Sequence, residues 1–270
     1  MALKSLMVHL DQSKRAMARL ELAASLARQH QARLIGVFGQ LASSQRVGVV
    51  TTWPTHAYTE AAEASKVAFE KATSGLLKAE WRDVNRGGEA EVLFRITELA
   101  RHADLVIMGQ HDDMAKSHVP ADLVGEVVLN SGRPVLILPY IGTFPEVAKR
   151  PLIAWCNARE AARALNDAIP LIEGCNEATV LSFATTAEGA RSSCDEVTGH
   201  LACHGIQVTS EITLVSDIGI MDMLLNRAAD LGSDLLVMGA HTHIGLPFVS
   251  RGAGTRYILR HMTVPVLMSN

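Results

Sequence analysis

Two nine-residue segments of this chain nearly coincide: Ala103–His111 reads ADLVIMGQH and Ser233–His241 reads SDLLVMGAH, 130 positions later. A long-range repeat constrains folding more than any single motif, because each copy must close its own core or share one with its twin. A second pair agrees with it. PVLIL at Pro134–Leu138 returns as PVLM at Pro265–Met268, 131 positions on, so the spacing between motifs is duplicated together with the helix between them. The apolar runs LMVHL (Leu6–Leu10) and LIAW (Leu152–Trp155) open the two copies. Behind them, Ala16, Leu20, Ala23, Ala24 and Ala27 occupy one helical face, and Ala161, Leu165, Ala168, Ile169 and Ile172 occupy the same face at an offset of 145. The first copy is therefore 15 residues longer. The surplus falls between Gly39 and Ala57, where GQLASSQRVGVVTTWPTHA shows no clear period and reads as a long surface loop.

Each copy then parses as strands alternating with helices. The strands are expected near 4–9, 33–38, 81–85, 104–109 and 134–138, and near 151–155, 177–183, 207–214, 233–238 and 264–268. Short strands apolar on both faces, set between Ala-rich helices, predict a doubly wound α/β fold with a parallel sheet in each half. Domains of 1–142 and 148–270 follow, joined near YIGTFPEVAKR (Tyr140–Arg150), which has the Gly, Pro and charge of a linker. Composition supports this: 48% of residues are apolar but only 4% aromatic, a core of Ala, Val, Leu, Ile and Met that argues against an all-β sandwich. Lys and Arg number 25 against 28 Asp and Glu, so no basic field exists for nucleic acid or an anionic membrane. The four cysteines, Cys156, Cys175, Cys194 and Cys203, form no Cys-x-x-Cys pair, which fits a reducing cytosol. Lys4 and Asp11 interrupt the first residues and leave no signal-peptide core, and no apolar run reaches the ~20 residues a bilayer span requires. A soluble, cytoplasmic protein is expected.

In an open parallel sheet the ligand crevice lies beyond the carboxyl ends of the strands where strand order reverses. Asp11 and Gly109 stand at those ends in the first half, Cys156 and Gly239 in the second. A carboxylate there can accept hydrogen bonds from an adenine amine or a ribose hydroxyl; Asp11 or Ser13 can equally serve as the N-cap of the following helix. The second half carries a phosphate-like feature: Gly239-Ala-His-Thr-His-Ile-Gly245 runs on through Arg251, Gly252, Ala253, Gly254 and Thr255 into a helix expected over 256–262. Glycines before a helix let backbone N–H groups converge on an anion, with Thr255 adding a hydroxyl; the alternative is a helix start merely shaped by Gly252 and Gly254 and capped by Thr255. The first half has Asp112, Asp113 and Asp122 in the matching stretch, partly offset by Lys116 and His118. His241 and His243 could turn two imidazoles to one side, but no third ligand is identifiable and no metal is expected. Cys156 reads as an exposed thiol or as a small buried hydrophobe. Phosphate-loop, nucleophile-elbow, His-Glu-x-x-His and dinucleotide signatures are missing, so nothing nominates an enzyme.

On these motifs the chain resembles the universal stress protein family in a tandem form. DLVIMGQH and DLLVMGAH are similar to its fourth strand and following turn, SGRPVLILP and TVPVLM to its last strand, and WCNAREAARAL to the opening helix of a second tandem domain. The resemblance implies a five-stranded parallel sheet of order 3-2-1-4-5 in each domain, with the two last strands meeting as an antiparallel pair inside the chain; a homodimer beyond that pair is left open. It also implies ATP binding through an acid after strand one and Gly-x2-Gly-x9-Gly-Ser/Thr after strand four. Here Gly239 and Gly252 match the first and third glycines, Thr242 stands for the second, Ala253 for the hydroxyl residue and Cys156 for the acid. The first half keeps Asp11 and Gly109 but has Asp112 and Asp122 at the later glycines. The expected function is that of a non-catalytic stress-response protein binding ATP or another adenine nucleotide in its second domain, weak ATPase activity remaining open. The alternative is a structural or interaction module that has lost nucleotide binding.

Overall fold

The computed structural model describes residues 2–42, 45–47, 50–52, 54–84, 88–114, 117–184, 187–214, 219–240 and 252–270. The first apolar run forms β1 (Ser5–Leu10), and every residue from Leu6 to Leu10 is buried, as a strand covered on both faces demands. Next come α1 (Ala16–His30), β2 (Arg33–Phe38), β3 (Gln45–Val47), β4 (Val50–Thr52), α2 (His56–Ala72), β5 (Ala79–Asp83), α3 (Glu89–Ala100), β6 (Leu105–Gly109), α4 (Leu123–Asn130) and β7 (Val135–Leu138). The second copy supplies β8 (Pro151–Trp155), α5 (Arg159–Ile172), β9 (Ala178–Ala184), α6 (Ala187–Cys203), β10 (Val208–Leu214), α7 (Ile220–Asp230), β11 (Leu235–Gly239), α8 (Ala253–His261) and β12 (Val266–Ser269). All ten expected strands are present, each end within two residues of its place in the sequence reading.

Two compact units divide the chain at Arg133–Pro134. In the first, Ala2–Arg133, four strands pair in parallel in the order β5-β2-β1-β6, with Leu6 opposite both Leu34 and Leu105. In the second, Pro134–Asn270, five parallel strands run β10-β9-β8-β11-β12, the order 3-2-1-4-5. The last strand of the first repeat, β7, packs with this second unit. It lies antiparallel on β12, with Val135, Leu136 and Ile137 opposite Met268, Leu267 and Val266, the pairing of last strands that the resemblance implies.

The helical faces follow the predicted periodicity. α5 buries Ala161, Leu165, Ala168, Ile169 and Ile172 against β8, β11 and β12. α1 buries Leu20, Ala23, Ala24 and Ala27 against β1, β2 and β6, and with them Arg19. Two expectations need correction. The segment between Gly39 and Ala57 is not structureless: β3 and β4 pair antiparallel as a hairpin, Val47 opposite Val50, because Val and Thr at the paired positions favour extended backbone. Neither Asp11 nor Ser13 is the N-cap of α1; that position is Arg15, and no side chain caps it. No helix among the described residues is long and apolar enough to cross a membrane.

Candidate functional site

Strand order reverses between β1 and β6 in the first unit and between β8 and β11 in the second, so each has one crevice at the carboxyl ends of those strands. In the first unit the place is taken. Arg19, at the start of the buried stripe of α1, donates from Nη2 to Asp11 Oδ2 at 2.7 Å and from Nε to the His9 carbonyl at 2.7 Å. Its Nη1 lies so close over Gly109 that a Cβ added there would fall on it. The other Asp11 oxygen accepts from the Ser13 backbone N–H at 2.6 Å. His9 Nε2 donates to the Gly39 carbonyl at 2.7 Å, and Gln12 and Gln40 bond to each other beside them.

Burial and charge fix the protonation of this cluster. Burial alone would raise Asp11, but the adjacent Arg19 guanidinium, His9 and the Ser13 donors outweigh it and bring the carboxyl down to about 2. Burial dominates for His9 and lowers it to about 4; Asp11 opposes that shift and Arg19 reinforces it. The ring is therefore neutral at pH 7, with its proton on the nitrogen facing Gly39 O. Asp11 and Gly109 do come together, as read from the sequence, with a guanidinium of the same chain between them.

Among the described residues, no side chain fills the second crevice. Beyond β8 and β11 lies a cleft continuous with solvent. Its floor is Ala154, Trp155 and Cys156 together with Met238 and Gly239, and its walls are Phe183, Ala161 and the α7 residues Ile220, Met221 and Leu224. No charged side chain lines it among the described residues. Cys156 is half-buried, and burial, with Glu160 nearby, pushes its thiol up to about 11, so it is uncharged at neutral pH.

The first turn of α8 adjoins this cleft. A Cβ on Gly254 would sit 3.2 Å from the Met221 sulfur, so the helix start rests against the same methionine that walls the cleft. Gly252, with φ of +80°, is the N-cap, and no side chain caps the helix. The first turn of the helix, from Ala253, is where the macrodipole favours an anion. Thr255 is buried inside the helix instead of capping it, and the helix begins at Ala253, three residues earlier than the periodicity suggests, because Gly252 supplies the left-handed turn. Thr242, His241, His243, Gly245, Arg251 and Lys116 lie outside the described residues. No group of three metal-ligating side chains forms among the described residues.

Sequence reasoning missed Arg19 and the apolar walls. A signal for Arg19 existed. It stands within the apolar stripe of α1, whereas the equivalent position of α5 holds Ala164, and it follows Asp11 closely enough to pair with it. The walls carry no chemical signature; Phe183, Met221 and Leu224 read as ordinary core until their positions in space are known.

No protein-family model matches the sequence, and no curated protein does. Solved structures do. A universal stress protein from Archaeoglobus fulgidus DSM 4304 superposes with a TM-score of 0.72 at 15% identity, covering 98% of this chain and 98% of that one. A functionally unknown protein from Pseudomonas aeruginosa PAO1 gives 0.60 at 18% identity over 99% of this chain and 92% of its own. The repeat, the strand order 3-2-1-4-5, the antiparallel meeting of the last strands and a full-length superposition on such a protein agree, and the chain has the universal stress protein fold in its tandem form.

Proposed function

We propose that this chain is a cytoplasmic stress-response protein that holds an adenine nucleotide in the cleft of its second unit without turning it over. The observation that carries the reading is the contrast between the crevices: among the described residues the second is unfilled and uncharged beside a helix N-terminus, the first is filled. An adenine ring is planar and largely apolar, suited to a slot between Trp155, Phe183 and Met221. Its phosphates then extend toward the N–H donors of Ala253 and Gly254, favoured by the α8 dipole. With Cys156 in place of an acid, the base relies on backbone groups and on shape for recognition. Binding without hydrolysis is favoured because the described cleft wall offers no carboxylate or imidazole to activate a water.

The test is absorbance of the purified protein at 260 against 280 nm, chromatography of the supernatant after denaturation, and titration with ATP and magnesium. One nucleotide per chain is expected. Gly252→Val with Gly254→Val should abolish binding: the first forces a β-branched residue into φ of +80° and the second places a side chain against Met221. Asp11→Ala should leave the affinity unchanged. Equal loss in both variants would move the site to the first unit, and no binding by the wild type would favour a module that works through protein contacts alone.

A further inference from the structure

The repeat allows the two crevices to be compared position by position. Phe38, Met108 and Gly109 of the first correspond to Phe183, Met238 and Gly239 of the second, so the scaffold of the site is the same in both. Besides the acids Asp112, Asp113 and Asp122 of the loop after β6, one buried exchange of charge separates them. Asp11 corresponds to Cys156 and Arg19 to Ala164, an acid and a base replaced together by small neutral residues. Ala164 is buried like Arg19, so both side chains point into protein, but only the longer one reaches the strand ends.

We propose that Arg19 is a built-in occupant of the first crevice, clamped there by Asp11, and that these two positions decide which repeat accepts an external ligand. The proposal rests on the reading of the second cleft as a nucleotide site only for its ligand; the closure of the first crevice stands without it. Two hydrogen bonds hold the guanidinium at the strand ends, Nη2 on the Asp11 carboxylate and Nε on the His9 carbonyl, while Nη1 lies where a Cβ on Gly109 would stand. That is where an incoming planar group would approach, and the glycine that admits ligands elsewhere in this architecture here admits a side chain of the same chain. The clamp explains why the exchange is paired. Arg19 without Asp11 would bury an uncompensated cation, and Asp11 without Arg19 an uncompensated carboxylate, so a repeat keeps both or neither. Keeping both makes the first unit complete without a ligand; losing both leaves a hole that something else can fill.

The first arm of the test needs no nucleotide. In full-length Arg19→Ala, Asp11 keeps its Ser13 contact but lacks its cation, and the vacated space has the shape of a guanidinium. Methylguanidinium chloride at low millimolar concentration, against matched sodium chloride, should raise the thermal midpoint of this variant saturably. It should not do so in the wild type or in Asp11→Ala with Arg19→Ala. If Arg19→Ala does not fold by itself, methylguanidinium should restore its far-ultraviolet circular dichroism. No saturable stabilisation and no rescue would overturn the proposal. The second arm exchanges the determinants. Cys156→Asp with Ala164→Arg should weaken Mg-ATP binding by about tenfold or more, as a clamped guanidinium and a new acid occupy the second cleft. Asp11→Cys with Arg19→Ala should open the first crevice to uncharged adenosine, the acids Asp112, Asp113 and Asp122 opposing phosphates there. Unchanged affinity in the former would overturn the assignment of these positions. A wild type that binds no nucleotide refutes the proposed function and leaves the methylguanidinium arm to decide this one.

Discussion

The buried His9 makes a quantitative prediction about acid. Its ring nitrogen bonds Gly39 in the core of the first unit, and burial lowers it from 6.5 to about 4. The unfolded chain takes up a proton at this residue below about pH 6.5, whereas the folded chain does so only below about 4. Between those values the unfolded state carries the extra proton, so stability falls as pH falls, by about 1.4 kcal/mol per pH unit and about 3 kcal/mol across the window. Asp11 does not blur this. Its carboxyl, at about 2, contributes stability that is fully present above about pH 4 and is lost only as pH drops through 2. The assay is urea unfolding followed by tryptophan fluorescence in a Trp155→Phe background, where Trp81 on β5 reports on the first unit. Midpoints measured from pH 7 to 4.5 should fall steeply in that background. In His9→Gln, whose amide can still donate to Gly39 O, they should stay nearly flat. Parallel slopes in the two proteins would refute the claim that His9 is neutral and buried in the folded state.

Separate halves, residues 1–142 and 148–270, should self-associate in analytical ultracentrifugation, because each loses the partner of an apolar last strand; two well-behaved monomers at high concentration would refute this. Gly36→Ala should destabilise the first unit by about 1–3 kcal/mol in urea, since its Cβ would lie 2.6 Å from the Phe69 ring and 3.1 Å from Leu10 in a filled core; an unchanged midpoint would show that the ring can move. Iodoacetamide at pH 8 should label exposed Cys203 well before Cys156, whose thiol is raised to about 11, as peptide mapping by mass spectrometry would read; faster labelling of Cys156 would contradict its burial.

Strand and helix positions were legible because burial on both faces leaves a plain mark: LMVHL, LVIMG and LLVMG are short, apolar and bounded by polar residues, and the repeat checks each against its twin. The β3–β4 hairpin was not, because QRV and VTT are too short to show a period and have no counterpart in the second copy. The candidate site was half legible. Asp11, Gly109, Cys156 and Gly239 could be placed at strand ends from the strand positions alone. Whether a crevice is full or empty depends on how far a side chain reaches across it, and Arg19 starts eight residues along the chain from the carboxylate it meets. A charged residue on a helix ordinarily reads as solvent-facing, so its burial at 3% exposure emerges only in three dimensions.

The antiparallel pair of β7 and β12 has a symmetry that its register reveals. Leu136 faces Leu267, its own counterpart 131 positions on, while Val135 faces Met268 and Ile137 faces Val266, contacts that map onto each other when the two strands are exchanged. A contact that is its own mirror under exchange is the kind two identical chains make, and between separate chains its occupancy obeys mass action and fails on dilution. Tethering both partners in one polypeptide replaces bulk concentration with a fixed effective concentration in the millimolar range for a short connection. The pair here is therefore insensitive to how much protein a cell makes. With its two halves inherited in one gene, each was free to change without spoiling a symmetric twin, which is the condition under which one crevice can close on its own arginine while the other does not.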